Sequence, residues 1–276
     1  MPNNSVIMMA NGGFGDVACS TCLLYHREKL WPGKRLIWLV HPTCEDILKF
    51  NDKIDEVMIE VSPEVRKQAE KADIDIVNTA PWANPGLVQQ GIPYAQIPMR
   101  VLKSEFKEWH PYLKFSEEED ARAEAFIKAL PFPRTIILET SCRSGQSSWN
   151  STYTEKVIRA CKGVLGSCNF LFASKTGFDG VSKQSAGFEG AGVTDLSSFT
   201  IRQCLPIFNR SHLMVGISSG LSCSVCSWQA NPSVERVELV YNRQYGTWPM
   251  ARGPLATTTN MDEMLGAVET AARRIK

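Results

Sequence analysis

Leu213-Met-Val-Gly-Ile217 is an apolar run of strand length, and Ser218-Ser-Gly-Leu-Ser-Cys223 follows it without a break. Leu221, Val225 and Trp228 then recur at helical spacing. A buried strand that gives way to small residues and restarts as a helix leaves backbone N–H groups unpaired at the helix N-terminus. Those groups and the helix dipole favour an anion such as a phosphate or a carboxylate. An upstream segment has the same form. Arg134 to Leu138 reads as a strand, Ser141-Cys-Arg-Ser-Gly-Gln-Ser-Ser148 is polar, and a helix is expected from about Thr154. Two such junctions in one half of the chain point to a nucleotide-diphosphate pocket.

Outward from these junctions, short apolar strands alternate with helices along the whole chain. Val6–Ala10, Arg35–Val40, Glu56–Val61 and Ile74–Asn78 read as strands, with helices over Val17–Leu30, Cys44–Phe50 and Pro63–Lys71. Prolines and glycines interrupt Thr79–Pro98, which reads as loop, and a short helix is expected in Pro98–Trp109. Glu117-Glu-Glu-Asp120 opens a helix to about Leu130, its acidic first turn matched to the dipole. Pro131-Phe-Pro133 closes it. Further strands are expected at Thr135–Glu139, Asn169–Ala173, Leu213–Ile217 and near Val237–Tyr241. Helices are expected at Thr154–Val164, Thr200–Phe208, Leu221–Trp228 and Asp262–Arg274, and Lys175–Gly192 is a glycine-rich loop. The class is α/β: two Rossmann-like domains, residues 1–118 and 119–276, with parallel sheets facing a central cleft. The final helix is allowed to pack back on the first domain.

Composition sets limits on function. The 276 residues are 43% hydrophobic and 21% charged, ordinary for a globular protein, with no apolar run long enough to span a bilayer. Met1-Pro-Asn-Asn-Ser5 runs straight into a strand and lacks the basic and long apolar parts of a secretory signal, so a cytoplasmic location is expected. Peripheral membrane association stays open. Net charge is +1, so no stable nucleic-acid complex is expected. Residues 1–130 hold 15 Lys and Arg against 19 Asp and Glu, whereas 131–276 hold 15 against 10, making the second half the better host for phosphate. Nine cysteines lie mostly in expected helices and read as buried thiols. Cys19/Cys22 and Cys223/Cys226 have paired spacing but no adjoining histidine pair, so no metal site is expected.

The turn after the first strand, Asn11-Gly-Gly-Phe-Gly-Asp16, lies where open α/β sheets bind ligands. Its glycines fall at 12, 13 and 15, and Val40-His41 ends the second strand with no acidic residue, so a dinucleotide fingerprint is absent. Asp16 suits an ordinary helix cap or a carboxylate that takes a proton from an acceptor hydroxyl. No Ser/His/Asp ordering or Gly-x-Ser-x-Gly elbow supports a hydrolase.

Gly-Phe-Gly-Asp-Val17, Trp31-Pro-Gly-Lys-Arg-Leu-Ile-Trp-Leu-Val40 and Asp55-Glu-Val57 resemble the N-terminal domain of glycosyltransferase family 9, which contains the ADP-heptose lipopolysaccharide heptosyltransferases. Asp195-Leu-Ser-Ser-Phe-Thr-Ile-Arg202, Asn209-Arg-Ser-His-Leu-Met-Val-Gly216 and Ser218-Ser-Gly-Leu221 are similar to its approach to the donor loop. The resemblance covers most of the chain. It implies a GT-B fold and a metal-independent, inverting transfer from a nucleotide-sugar donor to a glycan or other hydroxyl-bearing acceptor, with no cofactor. Asp16 matches the family's catalytic aspartate. Two positions depart from the pattern: Ser144-Gly-Gln-Ser-Ser-Trp149 lacks the family's lysine, with Arg143 the nearest cation, and Ser218-Ser-Gly220 lacks its aspartate.

The expected donor-side residues are Glu139, Arg143, Ser144, Gly145, Gln146, Ser147, Ser148, Lys175, Ser218, Ser219, Gly220 and Leu221. Those on the acceptor side are Gly12, Gly13, Phe14 and His41. Several have a plainer reading: a polar loop for 144–148, a cap and tight strand–helix approach for 218–220, surface exposure for Glu139 and a solvated side chain for Lys175. The alternative to an enzyme is a non-catalytic GT-B-like protein that binds a nucleotide or sugar.

Overall fold

The computed structural model describes residues 4–10, 12–59, 64, 67, 71, 74–80, 83–90, 92, 96–104, 110–141, 149–173, 190–217, 219, 234–240 and 255–276. The chain forms two compact units that change over between Phe115 and Ser116.

In the first unit, β1 (Ser5–Met9), β2 (Arg35–Val40), β3 (Glu56–Ile59) and β4 (Asp75–Asn78) form a parallel sheet in the order β3-β2-β1-β4. Ile7 pairs with Ile37 on one side and Ile76 on the other. All of β1 is buried, as an apolar strand covered on both faces should be. After β1 the chain enters α1 (Phe14–Ser20), continues as a 3-10 stretch (Thr21–His26) and finishes as α2 (Arg27–Leu30). The single helix expected there is therefore one helical run with a tightened middle. The cause is local: the Ser20 and Thr21 hydroxyls donate back to the carbonyls of Asp16 and Ala18, at 2.8 and 2.5 Å. Gly33, at φ +67°, turns the chain into β2.

A 3-10 helix, Pro42–Leu48, follows β2. Of the helix expected over Pro63–Lys71, only Glu64, Lys67 and Lys71 are described, and all three are helical. Residues 79–98, read as loop, contain α3 (Pro85–Gln89), and α4 (Ile97–Val101) begins within them. Their prolines stand in the first turn, where a missing N–H costs nothing, so residues read as breakers are starters. The segment before Ser116 is tied down by its backbone. Thr21 Oγ1 accepts from Tyr112 N at 2.9 Å, and Asn51 Nδ2 donates to Tyr112 O at 3.1 Å.

The second unit opens with α5 (Glu117–Lys128), where Ser116 and Glu119 form a reciprocal capping box. Its sheet runs β7-β6-β5-β8-β9-β10, all parallel. These strands are β5 (Thr135–Glu139), β6 (Cys168–Phe172), β7 (Ala191–Asp195), β8 (Leu213–Ile217), β9 (Glu235–Leu239) and β10 (Leu255–Thr258). Numbered within the unit this is the doubly wound order 3-2-1-4-5-6. α6 (Ser151–Leu165) and α8 (Met261–Ile275) cover one face over Ile136, Leu138, Phe170, Phe172 and Val215. On the other face, α5 and α7 (Ile201–Phe208) close over Ile137, Leu171 and Met214. α8 packs on α6 and β9. Strands β7 and β10 were not expected, and the strand placed at Val237–Tyr241 begins two residues earlier. The helix expected at Leu221–Trp228 lies outside the described residues.

Candidate functional site

Each unit has a topological switch point, where consecutive connections leave the sheet in opposite directions and a crevice opens at the carboxyl ends of the strands. In the first unit it lies between β1 and β4, and in the second between β5 and β8.

At the first switch point the chain leaves β1 through Gly12 and Gly13 into α1. Gly13 is the extended N-cap, at φ −71° and ψ 172°, and its N–H donates to Asp16 Oδ2 at 2.9 Å. This loop-back holds the carboxylate over the first turn of the helix. Asp16 is half-buried, and burial pushes its carboxyl up to about 6 against the opposing pull of the Gly13 N–H and its own N–H. A Cβ on Gly13 would sit 3.7 Å from Asp16 Oδ2, an ordinary contact, so crowding does not require that glycine. Phe14 is half-buried at the head of α1.

The neighbouring turn after β2 packs alongside, with Cys44 Sγ donating to Gly12 O at 3.7 Å. His41 is exposed and caps the 3-10 helix: its Nδ1 accepts from Thr43 N at 3.3 Å and meets Thr43 Oγ1 at 2.9 Å. On the β4 side, Thr79 N donates to Met9 O at 3.1 Å, and Thr79 Oγ1 meets Ser20 Oγ at 2.8 Å in a buried contact. Asn84 Nδ2 donates to the carbonyls of Asn78 and Ala80 and closes the loop after β4. The structure therefore brings Gly12, Gly13, Phe14, Asp16 and His41 to one sheet edge. It adds Ser20 and Thr79, which the sequence reading missed. Two adjacent hydroxyl residues inside an otherwise apolar helix were the available signal.

At the second switch point Glu139 ends β5 and is 4% exposed, so the surface reading of this residue does not hold. Its Oε1 accepts from Ser141 N at 3.3 Å. Burial, only partly offset by that N–H, pushes the carboxyl up to about 8. Across the seam it pairs with Gly216, and Gly216 pairs in turn with Glu238 of β9, which is also buried. Paired residues in a parallel sheet share a face, so the two glutamates flank Gly216 on the side covered by α7. There the Cys204 thiol is pushed up to about 12 by burial and by Glu139. Ser219 is half-buried. Arg143, Ser144, Gly145, Gln146, Ser147, Ser148, Lys175, Ser218, Gly220 and Leu221 lie outside the described residues.

Beyond 142–148 the chain is anchored again. Trp149 Nε1 donates to Thr154 Oγ1 at 2.8 Å, and Asn150 caps α6 by accepting from Tyr153 N at 2.9 Å. The strand–polar segment–helix form of this junction is thus present at both ends. Among the described residues no group of His, Cys, Asp and Glu side chains is placed to hold a metal ion, and no helix is long and apolar enough to cross a membrane. Cys19, Cys22, Cys44, Cys161, Cys168 and Cys204 are buried thiols, none of them in a disulfide.

No protein-family model matches the chain, and no curated protein does. Solved structures do. A family 9 glycosyl transferase from Veillonella parvula DSM 2008 superposes with a TM-score of 0.69 at 15% identity, covering 99% of this chain and 98% of that one. The E. coli ADP-heptose lps heptosyltransferase II gives 0.67 at 11% identity, covering 97% and 98%. The E. coli heptosyltransferase WaaC with ADP-2-deoxy-2-fluoro heptose gives 0.52 at 13% identity, covering 97% of each chain. The chain therefore has their fold along almost its whole length: two Rossmann-like units of the GT-B type.

Proposed function

We propose that this protein is an inverting, metal-independent glycosyltransferase that moves a sugar from a nucleotide-sugar donor to an acceptor hydroxyl, with Asp16 as general base. The observation that carries the reading is the Asp16 carboxylate itself. It is looped back onto the Gly13 N–H at the first switch point and pushed up to about 6 by burial. A base with that proton affinity is ionised at neutral pH yet more basic than a surface aspartate. The structural neighbours support the donor class, since one is an ADP-heptose heptosyltransferase and another is a heptosyltransferase with an ADP-linked fluoro heptose.

In this reading Asp16 takes the proton of the acceptor hydroxyl, and the oxygen attacks the anomeric carbon from the face opposite the diphosphate. The bond from that carbon to the diphosphate oxygen breaks, and the leaving group departs with the electron pair. Gly12, Gly13, Phe14 and His41 contact the acceptor. On the donor side, Arg143, the backbone N–H groups of Ser144–Ser148 and the Ser218–Leu221 segment share the developing charge. Glu139 and Lys175 contact the ribose, base or sugar.

A thermal-shift panel of ADP-, UDP-, GDP-, TDP- and CMP-sugars tests the donor class, because a ligand that binds only the folded state raises its stability. Transfer by the wild type, lost in Asp16→Asn with donor binding retained, is the expected outcome. Binding without transfer of any sugar would favour the non-catalytic alternative.

A further inference from the structure

The geometry points to Ser20 and Thr79 as positioning residues for Asp16, forming a hydroxyl bridge that clamps the turn bearing this carboxylate to β1 and β4. The inference rests on the reading of Asp16 as the general base. The bridge is continuous. Ser20 Oγ donates to Asp16 O at 2.8 Å and meets Thr79 Oγ1 at 2.8 Å. With the Ser20 proton committed to Asp16 O, Thr79 Oγ1 is the donor to Ser20 Oγ, and Thr79 N donates to Met9 O at 3.1 Å, completing the link to β1. Ser20 is 1% and Thr79 2% exposed, so no water competes for these bonds.

Two features make this more than core packing. A hydroxyl that bonds back to the carbonyl four residues earlier loosens a helix, and here the run tightens to 3-10 geometry at the next residue, Thr21. The first turn of α1 is therefore not held by a long regular helix behind it. Its fastenings include the buried Val17 and Ala18 side chains, the Cys44–Gly12 contact, the Gly13 loop-back and the Ser20–Thr79 bridge. Among the described residues, the bridge alone of these ties it to β4 by a side-chain hydrogen bond. The bridge also spans the switch-point seam, joining the element after β1 to the residue after β4. The carboxylate's distance from the sheet edge depends on that seam.

The titratable groups on the elements packed against α1 are Cys44, Glu45 and Asp46 of the 3-10 helix, His41 at its cap, and Cys22, Tyr25 and His26 in the 3-10 continuation. Among the described residues, the end of β4 and the residue after it bring Asn78 and Thr79 to this edge, neither of them titratable. Removing the bridge thus changes the solvation of Asp16 without removing a charge.

The test is an NMR titration of the Asp16 carboxyl carbon, run with transfer kinetics in Thr79→Val, Ser20→Ala and Thr79→Ser. Alanine is the best helix former, so Ser20→Ala gives a folded variant should the buried valine disturb the sheet. With the clamp gone the turn gains solvent. The Asp16 midpoint should then fall by about one pH unit in Thr79→Val and Ser20→Ala. Turnover should fall roughly tenfold with the donor KM unchanged, and Thr79→Ser should restore both. Folded variants whose midpoint and turnover match the wild type, with only the melting temperature lowered, would overturn the assignment. The titration needs no turnover. A wild type that transfers nothing would therefore count against the glycosyltransferase reading alone, while the midpoints still decide the clamp.

Discussion

Glu139 and Gly216 are register partners in adjacent parallel strands, and they approach so closely that a side chain on Gly216 has nowhere to go. A Cβ there would lie 2.8 Å from the Glu139 carbonyl carbon and 2.9 Å from the Glu139 Cβ, closer than real Cβ atoms come. Both are central atoms of the sheet, unlike the far end of a flexible side chain. Gly216→Ala should therefore force β5 and β8 apart at the switch point and cost about 3 kcal/mol. Urea unfolding measures it; a loss below about 0.5 kcal/mol, the range of a surface change, would mean the seam relaxes freely.

The same seam makes Glu139 a pH-dependent element. Its carboxyl lies near 8 in the folded protein and in the ordinary range near 4.5 in the unfolded chain. Between those values the folded state holds one proton more. The contribution of this group is therefore complete at the acid end of the window and is lost as pH rises through about 8. Glu139→Gln keeps an acceptor for Ser141 N–H and removes the titration. The stability of this variant relative to wild type should grow from pH 5 to pH 8 by on the order of 3 kcal/mol, then level off. A flat difference across that range in denaturant titrations would show that the carboxylate is solvated after all.

The parts of this architecture that could be read from the sequence are those where burial on both faces writes a continuous apolar run. Leu213–Ile217 and Thr135–Glu139 have the bounds expected of them. β7, Ala191-Gly-Val-Thr-Asp195, and β10, Leu255-Ala-Thr-Thr258, are edge strands of small or polar residues, so neither carries that signal. The glycine-strand–turn pattern placed Asp16 after β1 directly. Nothing local linked it to Thr79, since Ser20 and Thr79 are 59 residues apart and only the pairing of β1 with β4 joins them. Glu139 shows the opposite limit. A strand end suits a buried or an exposed glutamate equally, and the burial comes from Gly216 and Cys204 on other elements.

Two arginine pairs fasten α5 to α7 and its following turn, and burial separates their worth. Arg202 binds Glu119 through both Nε and Nη2, at 2.6 and 2.8 Å, with side chains 5% and 14% exposed. Arg210 meets Asp120 at 2.9 Å with side chains 29% and 34% exposed. Burial alone would raise the Glu119 carboxyl, but the Arg202 bonds and the Ser116 N–H outweigh it and hold it below the ordinary range. Arg202→Met should cost roughly 3 kcal/mol by stranding that carboxylate, whereas Asp120→Asn should cost under about 1 kcal/mol. The Glu119 contribution is present above the ordinary carboxylate value and is lost as pH falls through the depressed one. Wild type and Arg202→Met should therefore converge in acid, and a gap that persists at pH 2 would contradict the ionic origin.

Asp16 gives two readouts that a structural aspartate and a general base divide differently. Its carboxyl is raised from 3.8 to about 6, so its contribution to stability is complete below about pH 4 and is lost as pH rises through 6. At pH 7 the folded protein carries a half-buried carboxylate that it would be more stable without. Asp16→Asn keeps an acceptor for the Gly13 N–H and discards the charge. It should be more stable than wild type by about 1–2 kcal/mol at pH 7.5, and this advantage should vanish by pH 4. Transfer should show the reverse. The wild-type rate should rise through an acid limb near pH 6 as the base ionises, and Asp16→Asn should be inactive with donor affinity unchanged. A side chain that served only to cap α1 would lose stability when replaced and would leave the rate alone. Opposite signs in melting temperature and turnover, measured on the same preparation, are what a carboxylate kept at the expense of folding predicts.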